Sequence, residues 1–145
     1  EMVSPDVRWS SFDISSGVLV YIERSGSPGV DGSTGIETLI ARRLDTGETL
    51  IVRGPLPADI FGPSAPVTDG HHVFWVEVSP GERYPQIWGH DLTSGNTFRV
   101  TGYGINTGPQ VVGDWLVWGH RSGPDAPAQT YAVRIEEIVA PSGGP

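Results

Sequence analysis

The amino-acid sequence predicts an all-β protein assembled from about three copies of one four-stranded antiparallel unit. Three observations carry that expectation. The phrase PVTDGHHVFWVE (66–77) returns as PQVVGDWLVWGH (109–120): Pro66, Gly70 and Trp75 are matched by Pro109, Gly113 and Trp118, each 43 positions on. The register survives the following loop, because Gln86 and Trp88 are matched by Gln129 and Tyr131 at the same offset of 43. The apolar runs are short, β-branched and aromatic, and bounded by turn residues, which is a strand pattern. Glycine and proline are abundant, 20 and 13 in 145 residues, and they fall between those runs, where turns between short strands need them.

Taken in order, the first copy supplies GVLVYIE (17–23), which lies against HVFWVE (72–77) with Tyr21 and Trp75 54 positions apart. Its TGETLIVRG (46–54) lies against SGNTFRVTG (94–102) at an offset of 48, so the first copy holds six extra residues. They fall in SGSPGVDGSTG (25–35), an expected extended loop. Strands are expected near Val18–Glu23, Leu39–Leu44 and Leu50–Arg53, then Val73–Val78, Gln86–Leu92 and Thr97–Thr101, and then Trp115–His120 and Thr130–Ile135. Each copy also has a short segment ahead of its first run. The runs are apolar at consecutive positions, so both faces of each sheet are expected to be covered. Antiparallel four-stranded units of about 40–45 residues, stacked face to face, are β-propeller blades. The expected architecture is a partial propeller of about three blades, near 10–56, 64–102 and 107–139, the third without its outer strand. Residues 140–145 read as a tail or linker.

The units resemble the TolB-like family of WD40-like propeller repeats. The residues that carry the resemblance are clearest in the second copy: Ile87, Trp88, Asp91, Leu92, Gly95, Val100 and Thr101. The first copy keeps Leu44, Asp45, Gly47 and Val52 but has Ile40 in the aromatic slot. The third keeps Gly113, Trp118 and Tyr131, then departs, with Arg134 in place of the Asp and Ile138 in place of the turn Gly. The resemblance spans roughly Ser11 to Ile138. It implies the blade, and only a broad range of roles: surface proteins that bind peptides, glycans or partner proteins, or that sit beside an enzyme domain.

Composition narrows the classes. Net charge is −8 and all nine basic residues are arginine, a balance that opposes binding to nucleic acid or to an anionic membrane surface. There is no cysteine, which removes disulfides, thiolate catalysis and cysteine zinc sites. No apolar run approaches the ~20 residues of a spanning helix, and no signal peptide is read; a mature or trimmed product is expected. G-x-S-x-G, H-E-x-x-H, P-loop and dinucleotide patterns are missing, so no catalytic residue and no cofactor are expected. His71 and His72 are adjacent on a strand and point to opposite faces, so they cannot chelate one ion. Asp31, Ser33 and Glu37 echo an oxygen-ligand loop without its further carboxylates, and a solvated turn is expected there instead of a metal.

The repeat register offers the best candidate site. Glu23, Glu77 and His120 occupy one equivalent position, two residues past Tyr21, Trp75 and Trp118. Each ends a second strand where a loop begins, and by resemblance those loops share one face of the disc. A binding rim is expected there, with Arg83, Tyr84 and Arg121 nearby. Trp75, Trp88 and Trp118 are expected to pack in the core, and Trp115 to be exposed. The function expected is a non-catalytic scaffold for protein–protein interaction or assembly, extracellular or periplasmic. A glycan- or peptide-binding module, or a propeller accessory to an enzyme, is the alternative. Three blades cannot close a ring, so a protein partner or a second copy is expected to complete it.

Overall fold

The structure is a computed structural model, and it describes residues 7–25, 35–57 and 62–139. These fold into three antiparallel sheets placed one after another along the chain. Blade one is β1 (Val7–Ser15), β2 (Val18–Ser25), β3 (Ile36–Arg43) and β4 (Thr49–Pro57), paired in that order. Blade two is β5 (Ser64–Thr68), β6 (His72–Glu77), β7 (Gln86–Asp91) and β8 (Thr97–Arg99). Blade three is β9 (Ile105–Val112), β10 (Trp115–Arg121) and β11 (Gln129–Arg134), followed by a short helix α1 (Ile135–Val139). β1 lies beside β5 and β5 beside β9, so the first strand of each blade lines the propeller axis.

The repeat written in the sequence is also a repeat of hydrogen bonds. Leu44 N–H donates to the Gly17 carbonyl at 2.9 Å, Leu92 to His71 at 3.0 Å and Ile135 to Asp114 at 2.9 Å. These equivalent bonds tie the end of each third strand to the start of each second strand. The turn into the fourth strand is built alike in blades one and two. Gly47 and Gly95, at φ +75° and +77°, donate to the Arg43 and Asp91 carbonyls, both at 2.8 Å. Glycine takes that left-handed conformation without steric cost.

Each blade has a leading face, towards the preceding blade, and a trailing face. Strand alternation sorts the apolar residues between them. Val18, Val20, Ile22, Leu39, Ala41 and Val52 on the trailing face of blade one meet Val73, Trp75 and Leu92 of blade two. Phe74, Val76 and Ile87 on the trailing face of blade two meet Leu116, Trp118 and Ile135 of blade three. Both faces of blade two are thus covered, which is why its strands are apolar at consecutive positions. Gly89 makes room in the second junction, since an added Cβ would lie 2.5 Å from the Phe98 ring.

Two features depart from the strands expected. The inner strands β1, β5 and β9 did not stand out as apolar runs. Their sequences are rich in Ser, Asp, Thr, Asn and Pro because one side looks into the axis. And Ile135, expected to end a strand, starts α1. Without the turn residues of blades one and two, the chain coils and packs Ile135, Ile138 and Val139 under the second core. Trp75 is fully buried and Trp118 is 8% exposed, while Trp115 is 40% exposed beneath the Arg134 guanidinium.

Trp75→Ala and Trp118→Ala are each expected to destabilise the chain by about 3–5 kcal/mol, read by equilibrium urea unfolding. Losses well under ~1 kcal/mol at both would mean that neither ring fills a junction.

Candidate functional site

Glu77 ends β6, and Glu23 and His120 lie in the last residues of β2 and β10, all on leading faces. Glu23 is half-buried on blade one. Glu77 is only 4% exposed. Its carboxylate accepts from Arg53 Nε at 3.0 Å and Nη2 at 2.9 Å, a two-pronged pair reaching across from β4 of the preceding blade. The same Oε1 accepts the indole N–H of Trp75 at 3.1 Å. The hydrogen bond to Glu77 raises the basicity of Arg53 further, against the opposing effect of burial.

His120 is 3% exposed and belongs to a hydrogen-bonded network at the next junction. Its Nδ1 lies 2.8 Å from Asn106 Oδ1, which also accepts the Trp118 indole N–H at 3.1 Å. An amide oxygen only accepts, so His120 Nδ1 carries the proton. Asn106 Nδ2 donates to Gln86 Oε1 at 2.9 Å and to the Tyr103 carbonyl at 2.8 Å. Thr101 Oγ1 donates to the same Gln86 oxygen at 2.7 Å. The His120 ring stacks on Tyr131 at 4.4 Å, with Tyr103 edge-on at 5.0 Å. Glu77 and His120 therefore face inward, each closing its own junction, and do not present side chains to a shared rim. Arg83 is exposed and lies over the half-buried Tyr84 ring at 5.4 Å. Arg121 is exposed.

At the first junction the inward pair floors a groove of about 440 Å³. Arg53, Leu56 and Pro57 of β4 form one wall, and Val78 to Glu82, after β6, form the other. The volume lies in the range of ligand sites, ~300–1,000 Å³, and so does the pattern: apolar walls with few polar groups. Arg53 has its guanidinium plane fixed by Glu77 while the side chain stays 39% exposed. It is a preset donor. Glu82 is ion-paired with Arg99, whose guanidinium lies 5.5 Å over the Trp88 ring. Sequence reasoning reached Glu77 and missed Arg53. The signal was present, since the equivalent of Arg53 in the second copy is the uncharged Thr101.

A second, polar basin of about 600 Å³ opens at the opposite, axial end. Two of its carboxylates, Asp13 and Asp69, are committed to the fold. Asp13 accepts the Thr68 N–H at 2.9 Å. Asp69 Oδ1 accepts the N–H groups of His71 and His72 at 2.8 and 2.6 Å, and Oδ2 pairs with His72 Nδ1 at 2.9 Å. Burial opposes ionisation of Asp69, but the bonds from the His72 ring and the two backbone amides outweigh it and lower its pKa. The Asp69 bond raises the pKa of His72. His90, half-buried against Thr97 at 2.8 Å, is shifted down, burial outweighing nearby Asp91. Among the described residues no three metal-ligating side chains converge. Asp31 and Ser33 of the long loop lie outside the described residues. Glu37 is buried and lies 3.6 Å from Arg24.

No protein-family model and no curated protein matches the chain. Solved structures do. TolB from Acinetobacter baumannii superposes with a TM-score of 0.58 at 16% identity, over 87% of this chain and 30% of that one. The β-propeller domain of the Trilobed protease from Pyrococcus furiosus, described as having an open velcro topology, gives 0.62 at 11% identity, over 90% of this chain and 40% of that one. Pyrococcus horikoshii acylaminoacyl peptidase gives 0.61 at 13% identity, over 90% of this chain and 23% of that one. The fold is a TolB-like β-propeller, and the chain spans less than half of each of these three proteins.

The two half-buried histidines should titrate in opposite directions by NMR, His72 above the ordinary 6.5 and His90 below it. Because His72 is raised, its contribution to stability is complete below its unfolded pKa and is lost as pH rises through the folded value. Asp69→Asn should bring the His72 midpoint down towards 6.5. An unmoved midpoint would refute the pairing.

Proposed function

We propose that the chain is a non-catalytic propeller scaffold for protein–protein interaction, and that the groove over Arg53 and Glu77 receives an extended peptide segment of a partner. The groove carries the reading: a buried carboxylate holds one arginine as a fixed donor at the floor of apolar walls. Electrostatics select the ligand. The chain carries a net charge of −8, and Arg53 is already paired with Glu77 and Arg99 with Glu82, so an anionic ligand meets no uncompensated cation among the described groove residues. An uncharged apolar segment whose backbone carbonyl meets Arg53 is favoured. The proposal places the scaffold outside the cytoplasm, in line with the surface-protein repeats its blades resemble. Among the described residues no helix is long and apolar enough to cross a membrane.

A second reading has one specific observation behind it. Two of the matched structures are a protease propeller domain and a peptidase. In that reading the same groove presents peptide to an enzyme domain that is joined to the propeller.

The test is a titration of fluorescent uncharged hexapeptides rich in Leu, Ala and Pro, followed by anisotropy. Saturable binding is expected, weakened at least ~10-fold (~1.4 kcal/mol) by Leu56→Glu, which removes part of the apolar wall and sets a competing carboxylate beside Arg53. The thermal midpoint should stay close to that of the parent. Binding that ignores Leu56→Glu, or no binding by any such peptide, overturns the groove as the site.

A further inference from the structure

The groove at the first junction has one carboxylate in its floor and one in its second wall, and the two are held unequally. Glu77, in the floor, accepts twice from Arg53 and once from the Trp75 indole. Glu82, in the wall, has Arg99 as its ion-pair partner. Its Oε2 is buried and meets no donor among the described residues. The wall is a tight turn: Glu82 N–H donates to the Ser79 carbonyl at 2.9 Å, and Gly81 takes φ +84°. Pro80 and Gly81 are exposed, and a Cβ at Gly81 would meet nothing within 4 Å. The tip of the turn is therefore not packed against the blade, and the pair with Arg99 is what holds the Glu82 carboxylate.

Arg99 is anchored without Glu82. Its Nε donates to the Thr101 carbonyl at 2.8 Å. Its guanidinium lies 5.5 Å over the ring of Trp88, its cross-strand neighbour. The repeat shows that this arginine is particular to blade two. There the leading row runs Trp75, Trp88, Arg99. In blade one the same row runs Tyr21, Ile40, Ile51. Arginine replaces an aliphatic residue in the blade whose turn carries Glu82. The facing wall holds a second guanidinium. Glu77 uses Nε and Nη2 of Arg53 and leaves Nη1 outside the pair. A carboxylate with one oxygen unmatched is drawn to such a donor.

We propose that Arg99 is a positioning residue of the peptide groove, which holds Glu82 on the second wall and so keeps that carboxylate off Arg53. This rests on the reading of the groove as a peptide site. Released from Arg99, Glu82 turns across the cleft to the open side of the Arg53 guanidinium. A charge-assisted pair there occupies the donor that a ligand carbonyl needs. Glu82 is thus a competitor built into the wall, and Arg99 is the group that withholds it.

The test compares the whole parent chain with Arg99→Gln and with the double variant Arg99→Gln, Glu82→Gln. Arg99→Gln should weaken binding of the uncharged hexapeptides at least ~10-fold, and the double variant should recover most of that loss. A wall that needs the ion pair only for its shape is damaged equally in both. Equal weakness of the two variants therefore overturns the proposal, and so does parent-like binding by Arg99→Gln. A second readout uses no peptide. The guanidinium NMR signals of Arg53, assigned by their loss in Arg53→Lys, should shift in Arg99→Gln and return towards the parent in the double variant. Signals that ignore Arg99→Gln overturn the proposal. If Arg99→Gln does not fold, Arg99→Met, which keeps an aliphatic stem over Trp88, is read in the same two ways. If no hexapeptide binds the parent, the groove reading fails, and the Arg53 signals still decide where Glu82 goes.

Discussion

The structure depends on burying the Trp75 and Trp118 indoles between sheets with an acceptor for each N–H group. An aromatic ring at the leading position supplies the apolar area that joins two blades. A buried donor left unmatched costs about 1–3 kcal/mol, so each junction must also supply an acceptor. The first junction uses Glu77, the second Asn106. The choice of acceptor fixes what lies around it. A carboxylate 4% exposed is costly unless paired, so Arg53 comes with Glu77. An amide needs no counter-charge, and the second junction closes with Gln86, Thr101 and His120.

The way the third blade ends follows from two sequence changes. In blade two, Asp91 Oδ1 accepts the N–H groups of Thr93 and Ser94 at 2.8 and 3.1 Å, and Gly95 takes the positive φ that reverses the chain. Arg134 and Ile138 stand in those places in blade three. An arginine cannot accept those bonds, and a β-branched residue does not adopt that conformation readily. The chain coils into α1 instead, with Glu136 and Glu137 in its first turn, where the helix dipole favours acidic groups. Ile135, Ile138 and Val139 then take over part of the covering that an outer strand supplies elsewhere.

How much of this was legible in the sequence depends on what each residue has to satisfy. The second and third strands of blades one and two are apolar on both faces, and the register could be read directly from Trp75 and Trp118. The inner strands were hidden because one side lines an axis, which lets Asp13, Thr68 and Gln110 stand where a core strand would carry Val or Ile. Helix α1 is a single turn and a half, too short for a hydrophobic period to show. At the site, the register found Glu77 and His120 but not their direction. A polar residue at a strand end looks the same in sequence whether it faces solvent or an indole. Arg53 was obscured because its partner is 24 positions away and on another blade. Only a comparison of acceptor chemistry between junctions would have revealed it.

The same comparison explains why one junction holds a groove and its equivalent does not. In the second junction the space beyond the indole is filled by His120 stacked on Tyr131 with Tyr103 against its edge. Rings pack without leaving a cleft, and the network beneath them uses its donors and acceptors internally. In the first junction the corresponding space is bounded by Arg53, Leu56 and Pro57 on one side and by Val78 to Glu82 on the other. No ring is inserted between those walls among the described residues. An arginine fixed by a buried partner has lost most of its rotamer freedom before any ligand arrives, so a carbonyl that meets it incurs little further ordering cost. The ion pair needed to seat Trp75 therefore leaves a pre-positioned donor at the mouth of an apolar cleft, whereas the amide that seats Trp118 leaves a closed surface.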